Sequence, residues 1–503
     1  MFAIYILIVA ILFVIIGLVT LMLAYTVKIM MLRNKYRHLP GPPGSSFLFG
    51  NFNVLQKIQR DEATFGEAMF DLHQEYGSVV VMYFFNVAMV SVADPVIVKK
   101  VLMDNKFLKP PENYVVFVEL FGERFGGYNL VSETNHEKWA RHRRVLNPAF
   151  HRQYLMQLMD TFNDSADRMV KFLATKADDG KAEVSMLDAI ERVTLDVIAK
   201  AGFSMEEDLI TNKSEFNDAV SFILTAARRN SIDIFLKYSP FKEARDYRAR
   251  AKEAIHLLRD TAERMIRQRL KDQQEGKKLP KDILSYIIKT AMVDESFQMV
   301  EMVDEFVTFF GAGQETTGNL LSFTLVCLGQ NPHVLEKVLE EIETVIGDKQ
   351  DLLYEDIAKL EYMMLVFKET LRLCPPVIGT ARTTPEELLC AGHRIPAGTM
   401  VLLPAFVMSR QEQFFKDPLT FDPERFQRNE DSPLYAYFPF SMGARSCIGQ
   451  QFALIEARVV LVKLFQKLHL KWVPGQKLGM LDRLTVRPSS QCLHYITERV
   501  KSA

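Results

Sequence analysis

The ten residues Phe440-Ser-Met-Gly-Ala-Arg-Ser-Cys-Ile-Gly449 say more about the fold of this chain than any other stretch. An apolar periodic segment, Gln450 to Leu468, follows them and predicts a helix, so Cys447 stands just before a helix N-terminus. Exposed backbone N–H groups and the helix dipole favour an anion there, which lowers the pKa of a thiol. A single cysteine is more often a small core residue than a ligand, but this position favours a thiolate that either binds a metal ion or attacks a substrate.

The other side chains of this stretch suit a flat ligand beside the sulfur. Gly443 and Gly449 lack a Cβ atom, so the backbone can bend sharply and approach a ligand closely. Phe440 can screen the sulfur from water, and a strand is expected just before it, over residues 435–438. A cysteine hydrolase would also need an activated thiol, but no histidine lies near Cys447 in the sequence, so that alternative requires one from a distant segment.

A second unusual stretch lies in the long, almost uncharged segment Val303 to Gln330, which has a helical pattern. Its middle reads Gly311-Ala-Gly-Gln-Glu-Thr-Thr-Gly318, and each glycine inside a helix costs about 1 kcal/mol relative to alanine. Either a ligand approaches the backbone here or another helix packs tightly against it. Thr316 can donate a hydrogen bond to the carbonyl of Ala312 and open the helix, and Glu315 can hold or pass a proton. The two side chains are expected to share one groove.

Both stretches resemble the cytochrome P450 family. Phe-x-x-Gly-x-Arg-x-Cys-x-Gly is the family's haem-ligating signature, and residues 312–317 match its oxygen-binding pattern Ala-Gly-x-Glu-Thr-Thr. The resemblance implies a haem b whose iron is ligated by Cys447, with O₂ bound between the haem and the long helix. It implies catalytic roles for Thr316 and Glu315. It also implies that the haem contacts Phe440, Gly449, Ala312 and Gly313.

Further family motifs supply haem anchors and a structural network. The segment Trp139-Ala-Arg-His-Arg143 resembles the family's Trp-x-x-x-Arg, which faces the haem propionates, and Arg382 and Arg445 match two more propionate positions. Glu369 and Arg372 are three residues apart and share one helix face. The resemblance joins them to Arg425 in a buried network that serves the fold and not the chemistry.

The remaining pattern predicts a mainly α protein with small sheets, in one large domain over residues 45–503. Helical spacing covers residues 184–201 and 242–270, with charges on the open face. A β-rich segment over 79–92 has its turn at Asn86, and residues 386–403 are expected to form short hairpins. The resemblance places the long helix over the haem in the P450 fold.

The N-terminus predicts a retained membrane anchor. Residues 1–27 carry no charged side chain, and as a helix they would span about 40 Å, against about 30 Å of hydrocarbon. A basic, Pro/Gly-rich linker follows over residues 28–44, so the Lys/Arg bias places the start in the lumen and the domain in the cytosol. We expect a single-pass protein of the endoplasmic reticulum; a cleaved signal peptide is the alternative, but its apolar core would be shorter.

The amino-acid composition gives no support to a disordered, nucleic-acid-binding or disulfide-rich protein. Of 503 residues, 48% are hydrophobic, which supports a large core, and the net charge of −1 gives no support to a nucleic-acid partner. Five cysteines in a chain of this length fit a reducing compartment. The chain also contains no flavin or nicotinamide module, so the resemblance implies that a separate NADPH–cytochrome reductase supplies its electrons.

Within the family, the chain resembles sterol side-chain hydroxylases of the cholesterol 24-hydroxylase type. The resemblance is carried by Phe121-Gly-Glu-Arg-Phe, Phe306-Val-Thr-Phe-Phe and Cys447-Ile-Gly-Gln-Gln-Phe-Ala. Gly311 and Gln314 depart from it, since a bulkier aliphatic residue and a histidine are expected there. The lipophilic pocket is expected to be lined by Tyr114, Phe117, Phe121, Phe125, Phe222, Val377, Ile378 and Thr380. A fatty-acid or broad lipophile hydroxylase, or a haem-thiolate sensor without turnover, would have similar features.

Overall fold

Helices make up most of the computed structural model, which describes residues 2–44, 46–60, 62–212, 214–291, 298–428 and 434–499. The mainly α class expected from the sequence is confirmed. The α-helices are α1 (Phe2–Tyr36), α2 (Phe52–Gln59), α3 (Phe65–Tyr76), α4 (Pro95–Met103), α5 (Val115–Val118), α6 (His136–Leu146), α7 (Arg152–Leu155), α8 (Met159–Lys176), α9 (Met186–Phe203), α10 (Glu215–Ile232), α11 (Ile234–Tyr238), α12 (Lys242–Gln274), α13 (Ile283–Ala291), α14 (Met299–Gln330), α15 (Pro332–Val345), α16 (Tyr354–Ile357), α17 (Glu361–Leu373), α18 (Ala405–Met408) and α19 (Gln450–Lys467).

The strands are short and lie in small sheets. They are β1 (Val79–Phe84), β2 (Val87–Val92), β3 (Glu119–Leu120), β4 (Glu123–Arg124), β5 (Glu183–Ser185), β6 (Thr380–Thr383), β7 (Leu388–Cys390), β8 (His393–Ile395), β9 (Met400–Leu403), β10 (Leu468–Trp472), β11 (Met480–Asp482), β12 (Val486–Pro488) and β13 (Leu493–Glu498). The larger sheet has the order β1-β2-β9-β6, in which β2 and β9 are parallel. A second sheet has the order β10-β13-β5.

The strand predictions were only partly correct. β1 and β2 form the expected hairpin around Asn86, and β7 and β8 form one around Ala391-Gly392. The second hairpin expected within residues 386–403 is absent, because β9 pairs with β2 and β6 instead of β8. The strand expected over residues 435–438 is also absent. Its alternation of apolar residues reflects side-chain packing, since Ala436 and Phe438 are buried in the core while the Tyr437 hydroxyl donates to the carbonyl of Lys368 (3.0 Å).

α14 runs through the middle of the helical core and contacts α9, α12, α17 and α19. Most of its residues are buried. Two of its glycines allow close packing against α9: a Cβ atom added at Gly313 would lie 3.0 Å from Ile198 Cγ1, and one at Gly318 would lie 3.2 Å from Thr194 Oγ1. The Thr194 hydroxyl also donates to the carbonyl of Gln314 (3.1 Å). These contacts hold α14 closely against α9.

The N-terminal helix does not end at residue 27, where the charge-free stretch ends. α1 continues to Tyr36, and its span from Ile4 is 33 residues long and apolar enough to cross a membrane. The residues expected to form a linker contact the sheet: the Tyr36 hydroxyl lies 3.0 Å from Thr399 Oγ1, and the carbonyl of Pro40 accepts a hydrogen bond from the backbone of Val81 (2.8 Å). The basic end of α1 therefore packs against the folded domain.

Candidate active site

The cysteine loop is held in one conformation by its own backbone. The N–H of Cys447 donates to the carbonyl of Phe440 (2.9 Å), which closes the loop before α19 begins at Gln450. Gly443 has φ +71°, and an added Cβ would lie 2.1 Å from the carbonyl oxygen of Leu102 in α4, so no other residue fits there. Gly449 is the residue before α19, and an added Cβ would lie 3.9 Å from the Cys447 sulfur.

The Cys447 thiol lies deep in the protein and yet borders open space. Its side chain is exposed, whereas burial raises its pKa above the ordinary value. Together the two observations place the sulfur at the base of an internal cavity. The N–H groups of Gly449 and Gln450 and the charge of Arg143 act in the opposite direction and stabilise a negative sulfur. The lowering of the Cys447 pKa that we expected from the helix N-terminus is therefore outweighed by burial. A bound cation would be needed to favour the thiolate fully.

Above the loop lie four cations, of which Arg382 is buried and the others are half-buried, and we call them the cationic cluster: Lys109, Arg143, Arg382 and Arg445. The Arg445 guanidinium lies 4.0 Å from the Trp139 ring centroid and donates to the carbonyl of Glu133 (2.8 Å). Arg143 donates to the carbonyl of Ser446 (2.7 Å). Arg382 is 3% exposed and donates to Thr380 Oγ1 (2.8 Å). The structure thus brings together the four predicted anchors, Trp139 and three arginines.

Lys109 was missed by the sequence analysis. Its ammonium group donates to the carbonyl of Val131 (2.6 Å) and lies 4.5 Å from the Tyr114 ring centroid. Burial and the charges of Arg382 and Arg445 lower the pKa of Lys109 well below its usual range. A lysine before Pro110-Pro111 carries no motif, so only the fold shows its role.

Among the described residues the cationic cluster has little compensating negative charge: Glu133 stabilises the charge of Arg445, but from beyond ion-pair distance. Within the described ranges no ion pair involves Lys109, Arg382 or Arg445. Burial and the charge of Arg382 lower the pKa of Arg445 to about 10, which shows that the cations destabilise one another. A ligand with two acidic groups would relieve this repulsion. The donor set therefore fits a haem, with its propionates on the cationic cluster and its iron at the Cys447 sulfur.

One face of α14 is accessible, although the helix runs through the core. Ala312 is exposed and Thr308 and Thr316 are half-buried, whereas most other residues of the helix are buried. The spacing of four residues puts all three on one face. Thr316 Oγ1 donates to the carbonyl of Ala312 (2.8 Å), which is the predicted hydrogen bond. We call this surface the open face.

Glu315 does not share the open face with Thr316. Consecutive residues of a helix point about 100° apart, and the Glu315 side chain is directed instead towards the turn between β11 and β12. It is 4% exposed, and its Oε1 lies 3.5 Å from the backbone N of Thr485. Burial raises the pKa of Glu315 to about 8, although Arg483 opposes the shift. The groove expected to hold both side chains is therefore two separate environments on two sides of α14.

The three glycines in the middle of α14, Gly311, Gly313 and Gly318, have different surroundings. Gly313 and Gly318 pack against α9, so the tight-packing alternative explains both of them. A Cβ atom added at Gly311 would meet only Leu224 Cδ2, at 3.8 Å, so this position is open. The predicted contact of Gly313 with the cofactor stays a prediction, because the structure shows only its packing against Ile198.

The aromatic residues predicted for the substrate pocket do not form one surface. Tyr114 lies beside Phe117 (ring centroids 6.1 Å apart) and within the cationic cluster, since Lys109, Arg382 and Arg445 surround it. Phe125 is buried in the hydrophobic core. Tyr114 is therefore placed beside the expected propionate site.

Phe121 and Phe222 pack against a common neighbour. Their ring centroids lie 6.1 and 5.1 Å from that of Tyr247 in α12. The guanidinium of Arg250 lies 4.2 Å from the Phe222 ring centroid and covers its outer side. This aromatic group connects the β3–β4 loop, α10 and α12.

The loop after α17 supplies the remaining predicted pocket residues. Val377 is exposed, Ile378 and Thr380 are half-buried, and Thr380 accepts a hydrogen bond from Arg382. Ile378 also packs towards Gly66 of α3, because a Cβ atom there would lie 3.2 Å from Ile378 Cγ2. Val377 and Thr380 thus border accessible space beside the cationic cluster.

The predicted structural network is present. Arg372 donates from Nε and Nη2 to the two oxygens of Glu369 (both 2.8 Å), and Arg425 Nε donates to Glu369 Oε1 (3.0 Å). Arg372 also donates to the carbonyls of Ser409 (2.7 Å) and Pro418 (2.6 Å). All three charged side chains are buried. Burial of a carboxylate is compensated here by several charge-assisted hydrogen bonds.

Comparison with known proteins agrees with this site. A family model for cytochrome P450 matches residues 40–494. Mouse cytochrome P450 3A13 is 30% identical over 444 residues, which cover 85% of this chain and 84% of the relative. The probable cytochrome P450 4aa1 of Drosophila melanogaster is 29% identical over 475 residues, covering 92% and 89%. The chloroplastic carotene epsilon-monooxygenase of Arabidopsis thaliana is 29% identical over 429 residues, covering 82% and 78%.

The chain therefore belongs to the cytochrome P450 family. Membership implies a haem-thiolate monooxygenase whose iron is held by a cysteine, which uses O₂, a redox partner and a lipophilic substrate. The apolar helix α1 fits a membrane anchor. The relatives named above do not by their names support a sterol substrate, so the sterol resemblance is a matter for proposal.

Proposed function

We propose that this chain hydroxylates the side chain of a sterol in the manner of a cholesterol 24-hydroxylase. In this proposal α1 anchors it in the endoplasmic reticulum membrane, with the domain in the cytosol. A separate NADPH–cytochrome reductase supplies two electrons, and one oxygen atom of O₂ enters a C–H bond while the other leaves as water. The haem, when bound, supplies the oxidising chemistry.

The observation that carries the proposal is the open face of α14 beside Gly311. A side chain at this position would meet only Leu224, at the Cβ distance of 3.8 Å, so glycine leaves space where a bulkier residue would fill it. The branched end of a sterol side chain is wider than the end of an unbranched chain, so extra space next to the reacting atom suits it, although the sterol hydroxylases that the sequence resembles are expected to carry a bulkier residue at this position. The pocket lining expected around it is mainly apolar, with few polar groups to orient the ligand.

The chain's own residues have distinct tasks in this reaction. The cationic cluster binds the two acidic groups of the cofactor and sets its orientation. Thr316 presents a hydroxyl at the open face, because its hydrogen bond to Ala312 fixes its rotamer. Glu315 holds a proton at neutral pH, since its pKa is about 8. Phe440 and the loop backbone limit access of water to Cys447.

A lipid substrate would be reached most directly from the bilayer. Phe235, Tyr238 and Phe241 in and after α11 are 80%, 74% and 73% exposed, although such side chains are usually buried. Phe47 and Phe49 are also exposed, in a turn held to α1 by hydrogen bonds from Arg33 to the carbonyls of Ser46 and Phe47. Both groups suit contact with the membrane that α1 would cross.

The test is a reconstituted turnover of the full-length holoprotein with NADPH reductase and cholesterol in vesicles, with products identified by mass spectrometry. A side-chain-hydroxylated sterol is expected. Gly311→Ile should reduce sterol turnover and the spectral shift on sterol binding at least about tenfold, because the side chain occupies the open position. Gly17→Ile, in α1 with open surroundings and an ordinary helical φ, is the matched control. Intact thiolate ligation in the reduced CO spectrum without any sterol product would refute the substrate assignment.

A hydroxylase of fatty acids or of varied lipophiles is the second candidate. It is favoured by relatives of similar identity with different printed names, including a carotene epsilon-monooxygenase. The same reconstitution with a fatty-acid and broad lipophile panel distinguishes it. A haem-thiolate sensor would show ligand-dependent spectra but no NADPH-dependent product from any substrate.

A further inference from the structure

Beside α14, at a distance from Thr316, lies a cluster of charged and polar side chains that the haem site does not use. We call it the hairpin cluster: Glu191 of α9, and Arg483, Thr485 and Arg487 of the β11–β12 hairpin. Arg483 Nη1 lies 3.4 Å and Arg487 Nη1 3.6 Å from the same carboxylate oxygen, Oε1 of Glu191. No family motif noted in the sequence includes any of these residues.

The inner end of the hairpin cluster reaches Glu315. Thr485 presents its backbone N–H to Glu315 Oε1 at 3.5 Å, while its hydroxyl accepts a hydrogen bond from Asn319, one helical turn further along α14 (2.9 Å). The other oxygen of Glu315, Oε2, is buried and has no hydrogen-bond partner among the described residues. A buried, unpartnered carboxyl oxygen is costly unless it is protonated or bonded to water, so this oxygen is suited to accept and release a proton.

The outer end of the hairpin cluster reaches the surface. The side chains of Glu191, Arg483 and Arg487 are 24%, 15% and 19% exposed, whereas Glu315 is 4% exposed. The turn is closed by the backbone N–H of Arg483, which donates to the carbonyl of Thr485 (2.8 Å). Each of the three outer side chains is more exposed than Glu315.

Electrostatics connect the two ends. The negative charge of Glu191 raises the pKa of Glu315, and the positive charge of Arg483 lowers it. The negative charge of Glu315 in turn raises the pKa of Arg487. Burial raises the pKa of Glu191 itself above the usual range, although both arginines oppose the shift. Charged groups from α9 and from the hairpin thus face Glu315, and a proton bound at one carboxylate changes the affinity of the other for a proton.

We propose that the hairpin cluster is the path by which protons from solvent reach Glu315, with Glu191 as the group that collects them. This inference rests on the monooxygenase reaction, which consumes two protons for each O₂. A hydronium ion protonates the Glu191 carboxylate, and the proton then moves through intervening water and the Thr485 region to Glu315 Oε2. Each transfer breaks one O–H bond and forms another, and no electron moves.

The path would explain why Glu315 points away from Thr316. A proton donor that shared the open face would be exposed to the substrate cavity and to its water. With the acid on the far side of α14, protons arrive from the hairpin side while the substrate occupies the other side. Glu191, Arg483 and Arg487 are thus positioning residues, since none of them borders the open face.

The first experiment measures the protonation of Glu315 directly, and the second measures turnover. In the full-length holoprotein, the infrared C=O band of protonated Glu315 is identified by its loss in Glu315→Gln and followed with pH. Glu191→Gln should lower the midpoint pH of this band, and Arg483→Gln should raise it. The matched control is Glu183→Gln, the same change at an exposed residue of β5, which should leave the midpoint unchanged.

Turnover separates a proton path from a purely structural ion pair. With the reductase, Glu191→Gln should reduce product formed per NADPH by about tenfold and increase peroxide release, less than the ~10²-fold or more expected for an acid acting on the reacting atoms. Its melting temperature should match that of Glu183→Gln to within about 1 °C. The proposal would be overturned if the midpoint pH of the Glu315 band did not change. It would also be overturned if Glu191→Gln formed as much product per NADPH as Glu183→Gln. If the wild type oxidises no sterol, only the substrate assignment fails, because the infrared midpoints and peroxide release still test the path.

Discussion

Replacing single glycines of α14 with alanine should have opposite effects only two positions apart. Glycine inside a helix costs about 1 kcal/mol relative to alanine, so both Gly311→Ala and Gly313→Ala gain about that much from the backbone. At Gly311 the new methyl group meets only Leu224 Cδ2, at 3.8 Å, which is ordinary van der Waals contact. Gly311→Ala should therefore raise the free energy of unfolding by about 1 kcal/mol.

At Gly313 packing reverses the sign. The new methyl group would lie 3.0 Å from Cγ1, 3.2 Å from Cδ1 and 3.4 Å from Cβ of Ile198. Ile198 is β-branched and 3% exposed, so it cannot rotate away without displacing its neighbours. Overpacking of a core costs about 1–3 kcal/mol, which more than offsets the helix gain. We expect the two variants to differ in stability by about 1–3 kcal/mol.

Thermal unfolding of the holoprotein at one fixed scan rate measures this difference, because large proteins often unfold irreversibly. In a chain of this size, 1 kcal/mol corresponds to about 1 °C. Gly311→Ala should melt about 1 °C above the wild type, and Gly313→Ala should melt up to about 2 °C below it, at equal haem content. Equal melting temperatures for the two variants would refute the assignment of Gly313 to the contact between α9 and α14.

Three other predictions follow from the buried charges. Because the folded protein keeps Glu315 protonated up to about pH 8, while an unfolded glutamate loses its proton near its ordinary value, stability should fall as pH rises between these limits. The loss is at most about 5 kcal/mol, and Glu315→Gln should abolish this part of the pH dependence of the melting temperature. Lys109→Met should weaken haem retention about 10–100-fold, measured by haem transfer to apomyoglobin, whereas Lys106→Met on the exposed part of the same segment should not. Glu369→Gln should destabilise the fold by about 3–5 kcal/mol, because it leaves two buried arginines without their carboxylate; a normal yield and melting temperature would contradict the role of this network.

The parts of the site that could be predicted from sequence are those that local chemistry determines. The loop around Cys447 needs glycine at position 443 for its positive φ, and this constraint acts within a few residues. The hydrogen bond from Thr316 to Ala312 lies within one helical turn, so its spacing alone predicts it. Glu369 and Arg372 likewise share a helix face by spacing.

The parts that could not be predicted depend on which distant segments meet. Lys109 joins the cationic cluster only because the chain after α4 returns to β6, where the backbone N–H of Thr383 donates to the carbonyl of Leu108 (2.8 Å). Phe121 and Phe222 were expected in the pocket because of their aromatic character, yet they pack on Tyr247. Aromatic residues serve core and ligand contacts equally well, so residue type alone does not separate the two.

The arrangement around α14 suggests why its sequence combines features that disfavour a helix. Gly313 and Gly318 bring α9 close, and this contact carries Glu191 to the side of the helix where Glu315 points. Thr316 presents its hydroxyl on a different side of the helix, beside Ala312. The same eight residues therefore separate an open face, suited to substrate and oxygen, from a buried face that holds a proton. Because neighbouring residues of a helix point about 100° apart, the adjacent pair Glu315-Thr316 is the shortest sequence that can supply both sides.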